Sequence, residues 1–127
     1  MNAIILPIFI AAIFPFALTG IAKLGAFTLA DNHQTRTWQA QLTGYRARAH
    51  AAHQNSFEAF PIFAAAAILA AAQAPDHWLL PWLCWGFIGA RVGYAYCYVA
   101  DHARARSVIW FIGLACCAAL FFLAAKL

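Results

Sequence analysis

The sequence predicts an all-α integral membrane protein, and three observations support this fold class. Of the 127 residues, 65% are apolar and only 9% are charged, whereas roughly a quarter are charged in a typical soluble domain. Four long apolar runs follow one another, each close to the roughly 20 residues that an α-helix needs to cross a bilayer. Short polar segments separate them and hold most of the charges. We therefore expect one domain over residues 1–127, folded as a bundle of four membrane-spanning helices.

The bounds of the four spans follow from the apolar runs and from the residues that interrupt them. The first runs from about Ala3 to Leu24 and is expected to be a retained anchor, because no Lys or Arg precedes it and no cleavage site follows. The second enters the membrane around Tyr45 and stops before Pro75. The third and fourth are predicted at residues 77–99 and 107–125.

The distribution of Lys and Arg predicts the orientation. The first and third loops, with the helix ends beside them, carry Lys23, Arg36, Arg46, Arg48, Arg104 and Arg106. The loop around residues 75–77 has no Lys or Arg. By the positive-inside rule the two basic loops face the cytoplasm, so both termini face away from it, in what we expect to be a bacterial inner membrane. The same rule accounts for the formal net charge of +4 without a nucleic-acid partner.

One stripe of the second span carries polar groups into the membrane. At 100° per residue, Arg48 and Asn55 lie about 20° apart, and Glu58 lies about 60° further round. Pro61 follows and cannot donate to the carbonyl of Phe57, so a kink is expected just beyond the charged turn. Because charge inside a membrane is costly, functional use is the default hypothesis for such a stripe.

A second polar stripe lies on the third span, where Arg91, Tyr94 and Tyr98 fall within about 60° of one another. Arg91 needs a counter-charge, and Glu58 is the only carboxylate expected at a comparable depth. This ion pair has two open interpretations, a structural pair that fixes helix register and a part of a binding site.

A third polar group, Arg106 and Ser107, stands where the fourth span enters the membrane. Ser107 is also suited to cap that helix, while Arg106, like Arg48, could serve only to set topology. The four cysteines lie in apolar runs without the spacing of a metal site, so we expect buried thiols and no metal.

Taken in order, the polar residues resemble the MAPEG family, the membrane-associated proteins of eicosanoid and glutathione metabolism. The resemblance rests on N-x-x-E-x-x-P at 55–61, R-x-x-Y-x-x-x-Y at 91–98 and R-S at 106–107. It covers nearly the whole chain, which is most similar to a bacterial-type member related to the microsomal glutathione transferases.

The resemblance implies a homotrimer in the lipid bilayer that binds glutathione between neighbouring subunits. It implies that Arg106 stabilises the glutathione thiolate with Ser107 beside it, and that a small lipophilic electrophile is the second substrate of a transferase or peroxidase. The residues that the resemblance assigns to glutathione binding are Arg48, Asn55, Glu58, Arg91, Tyr94 and Tyr98.

Two positions depart from the family pattern, because Ala51 stands where the eicosanoid branch carries an arginine and Gln54 where the prostaglandin synthase carries another. Fewer cations favour an alternative, a non-catalytic member that keeps the fold but does not bind glutathione. A small multidrug-type exporter is a further alternative, since such proteins also have four spans and a membrane carboxylate. It fits less well, because Arg91 would neutralise Glu58.

Overall fold

A computed structural model describes residues 2–126 and confirms the all-α class, with no strand in that range. Its five α-helices are α1 (Asn2–Lys23), α2 (Thr35–Ala40), α3 (Gly44–Gln73), α4 (Leu79–Val99) and α5 (Ala103–Ala125). The short α2 and a 3₁₀ turn just before it, Asp31–Gln34, lie in the first polar segment.

Three of the long helices are apolar and long enough to cross a membrane within the described residues: Ala3–Lys23, Gly44–Gln73 and Ala103–Ala125. Helix α4 has a similar length, 21 residues, but Arg91 and its Trp, Tyr and Gly residues lower its mean hydropathy. It is nevertheless central to the packing, since α3 and α4 contact each other and each also contacts both α1 and α5.

Small residues on α3 form the centre of the apolar core. Ala66, Ala67 and Ala70 are fully buried, and this allows the neighbouring helices to approach closely. Beside them the rings of Phe63 and Phe87 stack with centroids 4.0 Å apart and nearly parallel planes. Dispersion contacts in this cluster join α3 to α4 in the half of the bundle remote from the basic loops.

The turn between α4 and α5 is shorter than the sequence predicts. Helix α5 begins at Ala103, four residues before the predicted start at Ser107, so both of its arginines lie in its first two turns. Asp101 adopts the left-handed conformation, with φ of 64°, and the His102 N–H donates to the carbonyl of Cys97 at 2.7 Å. This compact reversal places the first turn of α5 directly beside the last turn of α4.

Proline lies in the interior of two of the long helices, beyond the first turn, without ending either of them. Helix α3 continues through Pro61, and α1 continues through Pro7 and Pro15. The carbonyl of Pro15 accepts a hydrogen bond of 2.7 Å from His53 Nδ1, which ties α1 to α3.

Candidate functional site

Arg91 is the most buried charged group in the described chain, with only 6% of its surface exposed. Its Nη2 donates to Asn55 Oδ1 and to Ser56 Oγ, both at 3.0 Å. Ser56 in turn donates to the carbonyl of Ala52 at 2.8 Å, so its hydroxyl is oriented to accept from Arg91. The Nε of Arg91 is buried and has no hydrogen-bond partner in residues 2–126. Burial of this guanidinium is therefore compensated by neutral acceptors on α3.

Glu58 reaches Arg91 only through Asn55, and this corrects the direct ion pair expected from the sequence. Asn55 accepts from Arg91 with its oxygen, while its Nδ2 donates to Glu58 Oε2 at 3.3 Å. Glu58 itself is exposed on the surface of the subunit. The carboxylate and the guanidinium therefore belong to one hydrogen-bonded network, with the amide between them.

Aromatic contacts connect Arg91 to Arg106. The guanidinium carbon of Arg91 lies 4.3 Å from the ring centre of Tyr94. Tyr94 packs edge-on against Tyr98 with centroids 5.6 Å apart, and the guanidinium carbon of Arg106 lies 4.1 Å from the ring centre of Tyr98. Cation–π contacts of this kind fix the direction of an arginine without occupying its N–H donors. Six of the predicted residues thus form one continuous series of contacts: Glu58, Asn55, Arg91, Tyr94, Tyr98 and Arg106.

Two hollows open beside this series and share the side chain of Trp110. The larger, which we call the apolar hollow, has a volume of about 240 Å³ and lies between α3, α4 and α5. Asn55, Glu58 and Arg91 form its polar part, and the rest is mainly apolar: Ala59, Ile62, Phe87, Trp110, Gly113, Leu114 and Cys117. The smaller, the arginine hollow, measures about 160 Å³ and is lined by Tyr94, Arg106, Ser107, Trp110 and Phe111.

Arg106 and Ser107 differ in whether their side chains already form hydrogen bonds within the subunit. The side chain of Arg106 donates no hydrogen bond to the described residues, so its N–H groups remain available in the arginine hollow. Ser107 Oγ donates to the carbonyl of Ala103 at 3.1 Å. Because α5 starts four residues earlier, with His102 at its N-cap, Ser107 is not the helix cap suggested by the sequence.

Arg48, like Tyr98, is a predicted site residue that lines neither hollow. Its Nε donates to the carbonyl of Val99, the last residue of α4, at 3.0 Å. Arg46, two residues earlier, donates to the carbonyls of Ala22 and Leu24 at the end of α1, at 2.9 and 2.7 Å. Two arginines at the start of α3 thus satisfy carbonyls left free at the ends of two helices, which is a structural use.

Sequence reasoning missed three residues that the structure brings into the site. Ser56 is the second acceptor for Arg91, and a hydroxyl adjacent to Asn55 in an apolar stretch was the available signal. Trp110 follows Arg106 by four residues and Ser107 by three, so helical spacing placed it on their face. Cys117 lines the apolar hollow as one of four free thiols, and nothing in its spacing distinguished it.

The arrangement as a whole offers a cation with free donors next to a largely apolar hollow, in a chain built from long apolar helices. No curated protein and no solved structure gives a significant match to the sequence. The MAPEG family matches residues 2–126, which is nearly the entire chain. The protein therefore belongs to the MAPEG family and is an integral membrane protein.

Proposed function

We propose that this protein is a glutathione-dependent transferase or peroxidase for lipophilic electrophiles. The observation that carries the proposal is the state of Arg106. Its guanidinium is held over Tyr98 at 4.1 Å, while its N–H groups have no partner among the described residues. A permanently charged group with fixed position and free donors is suited to stabilise an anion that develops nearby.

The polar groups of the two hollows fit the chemistry of glutathione. The tripeptide carries two carboxylates, an ammonium group and a thiol, so it needs both cations and a carboxylate in its site. Glu58 is exposed and would meet the ammonium group, while the side chains of Asn55 and Arg91, which line the apolar hollow, would provide polar contacts for a carboxylate. Arg106 and Ser107 would hold the thiol end. Arg48 is not expected to take part, because Val99 already occupies its Nε.

The chemistry of this chain would be to keep a thiol ionised beside an apolar electrophile. A free thiol has a pKa of about 8.5, so only a small fraction is thiolate at neutral pH. The Arg106 guanidinium favours the charged form, most strongly where the medium excludes water. The apolar hollow, which shares Trp110 with the arginine hollow, would hold the lipophilic partner within reach.

The complete assembly would be a homotrimer of four-span bundles. In this proposal α4 is the fourth span, because it has the length of a span and packs among the other three. Glu58 supports the oligomer, since an exposed carboxylate on a spanning helix is expensive in lipid and a neighbouring subunit would cover it. The basic ends of α1 and α5 would face the cytoplasm, where glutathione is available.

The proposal is tested by conjugation kinetics of purified protein in detergent, with a general lipophilic electrophile and glutathione. Arg106→Ala is expected to lower kcat/KM by about 100-fold or more, the usual loss when one stabilising donor is removed from an anion site. Arg104→Ala is the matched control, because Arg104 lies two residues away on the same helix and lines neither hollow. Equal activity in the two variants would contradict the proposal.

A non-catalytic role is the second candidate, and the hydrogen bonds of Arg91 and Arg48 favour it. Both arginines are committed to partners within the subunit, as expected if the polar groups serve only to hold the helices together. Isothermal titration of glutathione into the wild-type protein distinguishes the candidates. Heat of binding that disappears in Arg106→Ala supports the enzyme, whereas no binding at millimolar glutathione supports the scaffold.

A further inference from the structure

The apolar hollow owes its space to two small residues on different helices. Its lining positions on α3 are 55, 58, 59 and 62, and those on α5 are 110, 113, 114 and 117. Each set has the i, i+3, i+4, i+7 spacing of a single helix face. Ala59 lies in the middle of the first face and Gly113 in the middle of the second. The hollow is therefore widest where these two positions have almost no side chain.

Gly113 lies where α5 packs closely on α4. A Cβ atom at this position would lie 3.6 Å from the Cβ of Ala90 and 3.9 Å from Cδ2 of Phe87, which is ordinary van der Waals contact. Atoms beyond a Cβ could not extend toward α4, because Ala90 and the ring of Phe87, itself stacked on Phe63, occupy that side. A larger side chain at position 113 would therefore extend into the apolar hollow.

The space beside Gly113 is continuous with the surroundings of Arg106. Trp110, which lines both hollows, lies between these two residues on α5. At a rise of 1.5 Å per residue, Gly113 lies about 10 Å along the helix axis from Arg106. An electrophile that reacts beside Arg106 can therefore extend past Trp110 and place its apolar body between Gly113 and Ala59.

We propose that Gly113 and Ala59 select electrophiles whose apolar body is about the size of one substituted aromatic ring, an inference that rests on the proposed function and names the class of its second substrate. The volume of the apolar hollow, about 240 Å³, is below the roughly 300 Å³ at which pockets for drug-sized ligands begin. Phe87 and Trp110 offer aromatic surface to such a ring. With an aryl halide, the thiolate sulfur bonds to the ring carbon that carries the halogen. The halide then leaves with the electron pair of the broken bond, so no oxidant is required.

The test compares two halide displacements by glutathione in purified protein: chlorodinitrobenzene, which has one ring, and iodoacetamide, which has no apolar body. Both reactions need the thiolate, but only the first needs the apolar hollow. In Gly113→Leu the ratio of kcat/KM for chlorodinitrobenzene to kcat/KM for iodoacetamide should fall by about tenfold or more, a change that even one methylene can cause in an apolar pocket. Ala59→Leu fills the same space from α3, so it should lower the ratio without altering the packing of α4 on α5 at Gly113.

Gly89→Leu is the matched control, because it adds the same atoms to a long helix at a position with nothing within 4 Å and outside both hollows. It should keep the wild-type ratio. In the wild type, chlorodinitronaphthalene, which carries the same reacting group on two fused rings, should be a poorer substrate than chlorodinitrobenzene after division by the uncatalysed rate constants.

Two results would overturn the proposal: Gly113→Leu and Ala59→Leu both keep the wild-type ratio, or the two-ring compound is the better substrate. These results leave the proposed function intact, because the wild type still accelerates halide displacement in both. Wild-type protein that accelerates none of the three reactions would instead contradict the proposed function, and this inference with it.

Discussion

The two halves of α3 hold their neighbours by different means. In the half after Pro61, contact is made by alanines and by the stack of Phe63 on Phe87. In the half before it, side chains of α3 donate to backbone carbonyls of α1 and α4, and Asn55 accepts a hydrogen bond from Arg91 of α4. Apolar packing tolerates many combinations of side chains of similar volume, whereas a hydrogen bond requires specific atoms at specific positions. Apolar packing is therefore suited to stabilising the bundle, whereas the hydrogen bonds are suited to positioning the groups of a binding site.

This comparison predicts that the largest loss of stability comes from the apolar half. Phe63→Ala removes a fully buried ring and leaves a cavity beside Phe87, so the free energy of unfolding should fall by about 3–5 kcal/mol. The measurement is unfolding in mixed detergent micelles. Phe121→Ala, at an exposed position on α5, is the control. A loss as small as that of the control would show that the stack contributes little.

Removing the hydrogen bonds by which Arg46 joins α3 to α1 should lower the free energy of unfolding by an intermediate amount. Arg46→Gln loses two charge-assisted hydrogen bonds to the end of α1, so the expected loss is about 1.5–3 kcal/mol in the same unfolding assay. Arg36→Gln provides the comparison, because Arg36 makes no such bond in the described chain. Equal stability of the two variants would mean that Arg46 does not hold α1.

The network around Arg91 should show coupling rather than a simple sum of losses. Asn55→Ala and Arg91→Leu remove two ends of one hydrogen bond, so their double variant should depart from additivity by about 0.5–3 kcal/mol. Glu58→Gln with Arg91→Leu should couple less, because Asn55 stands between them. If Glu58 couples to Arg91 more strongly than Asn55 does, the two charged groups pair directly, which would contradict the geometry.

The smallest effect is expected at Ser107. Its hydroxyl bonds a carbonyl within its own helix and does not cap α5, so Ser107→Ala should change the free energy of unfolding by less than about 0.6 kcal/mol. A reduced rate of conjugation in the same variant would show that the hydroxyl also contacts the ligand. A loss of more than about 1 kcal/mol would instead indicate a cap.

Sequence reasoning was most successful where a single periodicity controls the structure. Apolar runs gave the all-α class, and helical spacing placed Arg91, Tyr94 and Tyr98 on one face, as the structure confirms by their contacts. It was less successful where partners come from different helices. Spacing on one helix cannot show that Asn55 intervenes between Glu58 and Arg91, or that Arg48 ends at the carbonyl of Val99.

The start of α5 shows a second kind of error. The charged residues from Asp101 to Arg106 predict a loop, yet the helix begins at Ala103. The reversal depends on the left-handed backbone of Asp101 and on the bond from His102 to Cys97, neither of which has a clear sequence signal in the absence of glycine. Its consequence is functional, because it places Arg106 on a rigid helix beside Tyr98.

The central claim, that Arg106 stabilises a thiolate, is tested most directly by the ultraviolet absorbance of glutathione thiolate bound to the protein. With wild-type protein we expect this absorbance to appear on mixing and to titrate with an apparent pKa below the free-thiol value of about 8.5. Arg106→Ala should raise that pKa toward the free value, each unit corresponding to about 1.4 kcal/mol of lost stabilisation. Arg106→Lys should restore part of the shift, and Arg104→Ala should leave it unchanged. An unchanged titration in Arg106→Ala, or no thiolate signal in the wild type, would contradict the account.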